Sequence, residues 1–427
     1  MPSNNHQLLV ANCRLIDPLQ GWDFVGSLLI TDGIIATLNP PDNTIPDIVI
    51  DGAELVCAPG LVDLHVHLRD PGQTHKEDVA SGATAAAAGG VTTIVAMPNT
   101  NPVIDCPKAL AITAQARANA PVRVLQAAAV SRGLGTAEPV DFDALSQSGA
   151  AAFSDDGVPF ANEHITEQAL LAAKRLGLPL LAHCEDKTLA GNGLINEGAI
   201  SRALGVPGLS AESEICGVER EIRCAAKVNA PVHICHVSTR GAVELIRKAK
   251  AAGVHVTAET APHYFALTEE LLRARDADYR MNPPLRTEDD RQAILESLAD
   301  GTLDCIATDH APHTLEEKSD FLTAPNGVLG LETSLAAGIT YLVNTGVLTL
   351  PQLIERMSTA PAKIIQTGVG TLKIGAPADL VIFDPNRQWQ VEPQKLHSKS
   401  RNSAFKGLTL TGKVCYTICN GKAVFKN

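Results

Sequence analysis

Between residues 58 and 370 the chain repeats one pattern: a short apolar, strand-like run, then in most cases an amphipathic helical segment. The strand-like runs fall at 60–68, 91–99, 122–130, 149–156, 178–185, 231–238, 255–263 and 303–310. The helical segments fall at 77–88, 108–118, 163–176, 211–227, 241–252, 288–299 and 331–343. Parallel strands need a crossover between them, and a helix is the usual one, so this alternation reads as an α/β fold with a parallel sheet. Eight such units close naturally into a (β/α)8 TIM barrel. A doubly wound open sheet is the alternative architecture. No G-x-G-x-x-G follows a strand and no P-loop occurs, so nothing here supports nucleotide binding.

The two chain ends have a different texture. LLVANCRLI, SLLITDGIIATL and DIVIDGAELVCA are β-rich and separated by turn signals at Asp32-Gly33 and Asp51-Gly52, which reads as a small antiparallel sheet. ADLVIFDP and GLTLTGKVCYTICNGKAVF repeat that texture at the other end, with an Asn420-Gly421 turn. The expected division is therefore residues 1–57 and 371–427 as the two parts of one β-sandwich, with the barrel at 58–370. At 427 residues and 45% hydrophobic content the chain can bury a core of that size. Its net charge of -12 and the lack of any Lys/Arg run argue against nucleic acid or an anionic membrane as partner. No targeting or membrane-spanning segment is recognised, and the expected location is the cytoplasm. Ten scattered cysteines without a C-x-x-C pair read as small buried hydrophobes. Cys184 and Cys235 adjoin histidines but are expected to face away from them.

Active sites of such barrels lie at the carboxyl ends of the strands. There the first strand offers His65, His67 and Arg69, the second Asn99, the fourth Asp155 and Asp156, the fifth His183, the sixth His236, and the eighth Asp309 with His310 and His313 just beyond. His65 and His67 at i and i+2 share one strand face and can grip one ion. A single pair of this kind is weak evidence, because a half-buried strand often carries a satisfied histidine. Six imidazole or carboxylate groups at one mouth are another matter: each buried without a partner costs several kcal/mol, whereas a divalent metal satisfies them together.

These residues also carry a family resemblance. PGLVDLHVHLRDPG, MPNTNPV, FSDDG, AHCED, HICHVST, ETAPHYF, MNPPLR, TDHAPHT and GLET occur in the order found in the amidohydrolase superfamily, and the chain resembles its bacterial class I dihydroorotases over essentially its whole length. The resemblance implies zinc, one or two ions per subunit, with His65, His67 and Asp309 on one, His183 and His236 on the other, and Asp156 bridging. Many relatives bridge with a carboxylated lysine, and the hydantoinase branch places it on the fourth strand, where this chain has FSDDG. Adjacent strand residues face opposite ways, so only one of Asp155 and Asp156 should reach the metals unless a bulge intervenes; family register favours Asp156.

The implied reaction is reversible interconversion of N-carbamoyl-L-aspartate and (S)-dihydroorotate in pyrimidine synthesis, through attack of metal-bound hydroxide on a cyclic amide. Asp309 is the expected proton shuttle, with a purely ligating role as its alternative. Substrate contacts are expected from His67, Arg69, Asn99, Asn282, His313, Asn326 and Gly327, with Arg69 gripping the ring carboxylate through a two-pronged hydrogen bond. Arg69 could otherwise be a surface ion-pair residue, and Asn282 a turn residue before Pro283. Many relatives read Pro-Phe-Gly where this chain has Pro325-Asn326-Gly327, which leaves a backbone contact there as the surviving expectation. The polar run 314–327 is expected to be a loop over the mouth. His263 reads either as a polar edge group of the site or as a structural histidine.

Hydantoinase, dihydropyrimidinase or allantoinase activity is the competing enzyme reading, opposed by Arg69 and by the missing lysine. A catalytically dead scaffold supporting aspartate transcarbamoylase is the competing non-enzyme reading, opposed by the intact ligand set. A homodimer and an association with aspartate transcarbamoylase are the expected protein partners.

Overall fold

The computed structural model describes residues 6–427. The chain ends build one eight-stranded sheet. Its members are β1 Gln7–Asp17, β2 Trp22–Thr31, β3 Ile34–Leu38, β4 Ile48–Asp51 and β5 Val56–Pro59 from the first end, and β16 Leu380–Gln390, β17 Thr409–Cys419 and β18 Lys422–Lys426 from the last. β16 pairs with β5, so the two ends form one sandwich, as expected. Its own core gathers Leu8, Leu15, Leu28 and Ile30 against Leu380, Ile382 and Ile418. The Asp32-Gly33 and Asn420-Gly421 turns connect antiparallel neighbours.

The expectation of an all-antiparallel sheet needs correcting, because β4 and β5 both run parallel to β1. Asp51-Gly52 is therefore a link between two strands stacked along one partner and not a hairpin turn. Gly52 donates its N–H to the Ala11 carbonyl at 2.7 Å, and a Cβ there would lie 2.7 Å from Cys13 Cβ. Only glycine fits so close an approach.

Between the ends run the barrel strands β6 Leu61–Val66, β7 Val91–Ala96, β8 Arg123–Ala128, β9 Ala152–Phe153, β10 Leu181–Ala182, β13 Val232–Ile234, β14 Val256–Thr260 and β15 Cys305–Ile306. A short pair, β11 Ile195–Asn196 and β12 Gly208–Leu209, decorates the excursion after β10. All barrel pairings are parallel. Bridges from Phe153 to Leu180 and from Val66 to His310 join the two four-stranded arcs into a closed ring. Side chains alternate as the pleat requires: Val232, Ile234, Val256 and Ala258 pack outward with the helices, while Val62, Val95, Leu181 and Cys305 fill the interior.

The helices form where apolar periodicity and a capping residue coincide. Asn162 caps Glu163–Leu176 by accepting from Ile165 N at 3.1 Å, Ser210 caps Ala211–Val228, and Thr287 with Asp290 forms a capping box on Glu288–Asp300. Two expected helices are shorter than their patterns. The segment at 108–118 breaks into Pro107–Ala111 and Ala114–Ala118 at the β-branched pair Ile112-Thr113. The segment at 331–343 starts only at Ser334, because Thr333 Oγ1 bonds the Gly330 carbonyl in a local turn, and it ends in a π turn at Ile339–Val343.

Candidate metal centre and active site

The carboxyl ends of the strands bring His65, His67, Asp156, His183, His236 and Asp309 together, all of them buried. Asp156 stands in the middle. Its Oδ1 lies 3.2 Å from His65 Nε2, 3.3 Å from His236 Nε2 and 3.6 Å from His183 Nδ1, and its Oδ2 lies 3.4 Å from His67 Nε2. Asp309 Oδ1 lies 3.1 Å from His67 Nε2 and 3.7 Å from His65 Nε2. His183 Nδ1 and His236 Nε2 are 3.0 Å apart.

Local backbone departures make this convergence possible. The register of β6 against β7 shifts between Asp63 and Val66. Leu64 thereby packs in the interior while Asp63 turns to accept from Thr308 N and Oγ1. His236 and Asp309 both adopt left-handed backbone, φ 38° and 48°, an unfavourable geometry for a residue with a Cβ and one concentrated at working sites. The turn at His236 also overturns the expected outward placement of Cys235. β13 ends at Ile234, the strict alternation stops there, and Cys235 packs inside the barrel against His65 and Glu259.

Asp155 and Asp156 do point apart. Asp155 accepts from Val130 N (2.7 Å), Ser131 N (3.1 Å), Ser131 Oγ (2.5 Å) and Gly135 N (3.0 Å), tying down the loop after β8. Burial raises the Asp156 carboxyl, but the charge of His65 and the hydrogen bonds of His183, His236 and His65 outweigh it and hold the group well below the usual carboxylate range. At Asp309 burial is likewise outweighed, by the His67 hydrogen bond and by the charges of His65, His67 and His236, and the carboxyl sits at about 2. Both are acceptors at neutral pH.

The donor set fits a metal. Two carboxylates and four imidazoles converge with separations of 3.0 to 3.7 Å, and among the described residues the buried Nε2 atoms of His65 and His183 make no well-aligned hydrogen bond. Buried polar atoms without partners are rare, and two of them in one imidazole and carboxylate cluster match the preference of divalent transition metals.

A cavity of about 190 Å3 opens beside this cluster, lined by His67, Arg69, Asn99, Asn282, Asn326 and Gly327 among others. Arg69 is only 9% exposed, yet among the described residues no carboxylate lies within ion-pair distance of it. Its Nε donates to the Pro312 carbonyl at 3.2 Å, and its Nη2 lies 3.2 Å from His313 Nε2. Burial pulls its pKa down to about 10, which Asp309 and Glu317 partly oppose, so it stays cationic at neutral pH. His313 sits behind Arg69, with Nε2 2.9 Å from the Asn326 carbonyl oxygen. Asn99 Oδ1 lies 2.9 Å from His67 Nδ1, which ties this cavity residue to the cluster. Asn282 Nδ2 donates to Glu185 Oε2 at 3.0 Å.

The segment 314–327 reaches the cavity with Asn326 and Gly327. Lys318 donates from its buried Nζ to the Arg280 and Pro325 carbonyls, Arg280 donates to Phe321 O and Asn326 Oδ1, and Lys76 pairs with Glu317. Gly327 has φ 137°, and a Cβ there would lie 2.7 Å from Ala311 Cβ and 3.1 Å from His313 Nε2. His263 is 1% exposed, does not line the cavity, and stacks edge-on with Tyr264; burial lowers its pKa to about 4.

Sequence reasoning missed Glu185, whose Oε2 lies 3.8 Å from His183 Nε2, and Glu259, which lies 3.0 Å from His65 Nδ1. The signal for Glu259 was available: an acid at an inward position of an otherwise apolar barrel strand needs a partner.

Comparison with known proteins gives the family. A family model described as dihydro-orotase-like matches residues 54–242. A dihydroorotase of Geobacter metallireducens is 45% identical over 98% of this chain and 99% of its own length, and one of Clostridioides difficile is 45% identical over 98% of this chain and 99% of its own. The chain belongs to the dihydroorotase family. Among solved structures, an L-hydantoinase (dihydropyrimidinase) of Arthrobacter aurescens superposes with a TM-score of 0.88 at 26% identity, covering 98% of this chain and 96% of that one. A D-hydantoinase gives 0.85 at 27%, covering 98% and 95%. The chain is thus a cyclic amidohydrolase with a TIM barrel and an end-built β-sandwich. Among the described residues no helix is long and apolar enough to cross a membrane.

Proposed function

We propose that this chain interconverts N-carbamoyl-L-aspartate and (S)-dihydroorotate in pyrimidine (UMP) synthesis. The observation that carries the choice of substrate is Arg69: a buried cation without an acidic partner faces a small cavity beside the carboxylate and imidazole cluster. Burying a guanidinium unpaired is costly, and a substrate carboxylate is the group that relieves it.

On this reading His65, His67 and Asp309 would hold one divalent ion and His183 and His236 a second, with Asp156 available to both sets. Zinc, one or two ions per subunit, is the metal that imidazole with carboxylate suits. Such an ion supplies Lewis acidity at the ring carbonyl and lowers the pKa of water towards about 7. The chain's own groups do the rest. Arg69, braced by Pro312 and His313, binds the ring carboxylate and fixes the ring's orientation. Asn99, Asn282 and the backbone at Asn326 and Gly327 border the ring edge. Asp309, ionised and 3.1 Å from His67, takes the proton released as water adds to the carbonyl carbon, and returns it through an Oδ to the ring nitrogen as the C–N bond breaks. The closing direction runs the same transfers backwards.

The domain limits 1–57, 58–370 and 371–427 belong to the same proposal, as do the remaining partners. All ten cysteines are unpaired, which suits a reducing compartment such as the cytoplasm. Ile45, just before β4, and Ile48 and Val49 on it are exposed and suit a homodimer contact, which sedimentation would test. An association with aspartate transcarbamoylase is tested by co-sedimentation of the two purified proteins.

The deciding experiment follows loss of the dihydroorotate ring's ultraviolet absorbance by zinc-supplemented and metal-stripped protein, with hydantoin and dihydrouracil as competing substrates. Metal-dependent turnover selective for dihydroorotate is expected. Equal rates on the substrates that lack a carboxylate would overturn the assignment.

A further inference from the structure

Of the four imidazoles in the cluster, one is backed by a carboxylate at hydrogen-bonding distance. His65 Nδ1 lies 3.0 Å from Glu259 Oε1. The other oxygen of Glu259 lies 3.1 Å from His233 Nε2, and His233 Nδ1 lies 2.9 Å from Thr257 Oγ1. The other three imidazoles are held differently. His67 Nδ1 meets the neutral Asn99 amide, His183 has its nearest outer carboxylate at 3.8 Å, and His236 Nε2 faces Asp156 itself. His65, Glu259 and His233 are at most 2% exposed, so water does not compete for these bonds.

The row has one consistent direction. An ionised carboxylate only accepts, so both imidazole nitrogens facing Glu259 carry hydrogen. His65 then keeps hydrogen on Nδ1, and Nε2, the nitrogen turned to Asp156 and Asp309, is the one that can lose its proton to a metal. His233, with its proton on Nε2, accepts from the Thr257 hydroxyl through Nδ1. Every member has one role and no donor or acceptor within the row is left over. The row starts at the metal cluster and runs down the inside of the barrel through β13 and β14, which are neighbours in the sheet.

We infer that Glu259, locked by His233, is a positioning residue that holds the His65 ring by its Nδ1 hydrogen, so that Nε2 is the nitrogen presented to a metal. The inference rests on the proposal that His65 is a ligand. Outer groups of this kind commonly contribute 10- to 100-fold to metal affinity. Glutamine at 259 has one acceptor and one donor where glutamate has two acceptors. It can satisfy His65 only by flipping the tautomer of His233, or the reverse, so the directed row is broken at one of its two ends.

The test uses the full chain, stripped of metal and titrated with Zn2+ against a chromophoric chelator. For Glu259→Gln we expect zinc affinity about 10- to 100-fold weaker than wild type with an unchanged circular dichroism spectrum of the metal-free protein. His233→Gln, which loosens the lock only indirectly, should show a smaller loss in the same direction. His65→Ala is the control for the underlying ligand assignment. If His65→Ala loses zinc while Glu259→Gln binds within threefold of wild type, the positioning role is overturned. If His65→Ala keeps wild-type affinity, it is the ligand assignment that fails. Should Glu259→Gln not fold, nitrogen–proton correlation spectra of the zinc-loaded wild type decide: a His65 proton on Nδ1 supports the inference, and one on Nε2 overturns it.

Discussion

Replacing Arg69 with methionine keeps the apolar stem and removes the charge. Among the described residues the guanidinium has two polar neighbours, Pro312 O and His313 Nε2, each at 3.2 Å, and no carboxylate at ion-pair distance. The loss to the fold is therefore about one ordinary hydrogen bond, roughly 1 kcal/mol, partly offset because a buried cation is no longer desolvated. The loss to the substrate is larger, since truncating one partner of a buried charge pair costs about 3–5 kcal/mol. At 1.4 kcal/mol per decade that is roughly a 140- to 4,000-fold fall in kcat/KM for dihydroorotate. Dihydrouracil, which lacks the ring carboxylate, should be turned over by Arg69→Met at nearly the wild-type rate. The ratio of the two substrates therefore separates carboxylate recognition from general damage. A kcat/KM for dihydroorotate within threefold of wild type, or an equal loss on both substrates, would refute the assignment of Arg69 to the carboxylate.

Asp309→Asn removes the proton carrier and is expected to cut turnover by at least about 10²- to 10⁴-fold in both directions; near-normal rates measured from either substrate would take Asp309 out of proton transfer. Asp155→Ala strands the donors now bonded to that carboxylate, at about 1–3 kcal/mol each. It should lower the thermal midpoint clearly while zinc content per folded chain stays at the wild-type level; loss of zinc with unchanged stability would reverse the roles of Asp155 and Asp156. Burial brings Lys318 down to about 7, with Asp278 and Asp276 opposing and Arg280 and Lys406 reinforcing. Between about pH 7 and 10.5 the closed loop then holds a neutral amine where the open loop holds a charged one, so closure gains stability as pH rises through that window. Hydrogen exchange of residues 314–327, corrected for intrinsic rates, should show more protection at pH 9 than at pH 6, and Lys318→Met should abolish the difference. Ring closure turns a dianion into a monoanion and takes up a proton, so the equilibrium ratio of dihydroorotate to N-carbamoyl-L-aspartate should rise as pH falls; a ratio independent of pH would exclude this substrate pair.

The barrel was legible because period-2 and period-3.6 patterns report which faces are buried, and the barrel needs little beyond that from the chain. Each of the eight expected strand segments contains one observed barrel strand, though the observed strands are shorter, and each expected member of the His and Asp cluster lies at the carboxyl end of its strand. What the sequence concealed sits where that periodicity is broken on purpose. Alternation placed Cys235 opposite His236, but β13 stops at Ile234 and His236 takes left-handed backbone, so both side chains end up inside. Alternation also could not say that a register shift in β6 would send Asp63 to Thr308 and leave His65 at the cluster. The same limit hid Glu259: its period-2 position is visible, but that its two oxygens divide between His65 and His233 depends on the relative register of β14, β13 and β6, and the last is not even its neighbour in the sheet. Strand-end irregularities cost stability, and a chain keeps them when they aim a side chain that a regular strand would misdirect. It follows that in a barrel of this kind the ligating strands are the ones whose sequence alternation should be trusted least over the last two residues, and that unexplained polar residues further down the same strands are to be paired with ligands first and with solvent second.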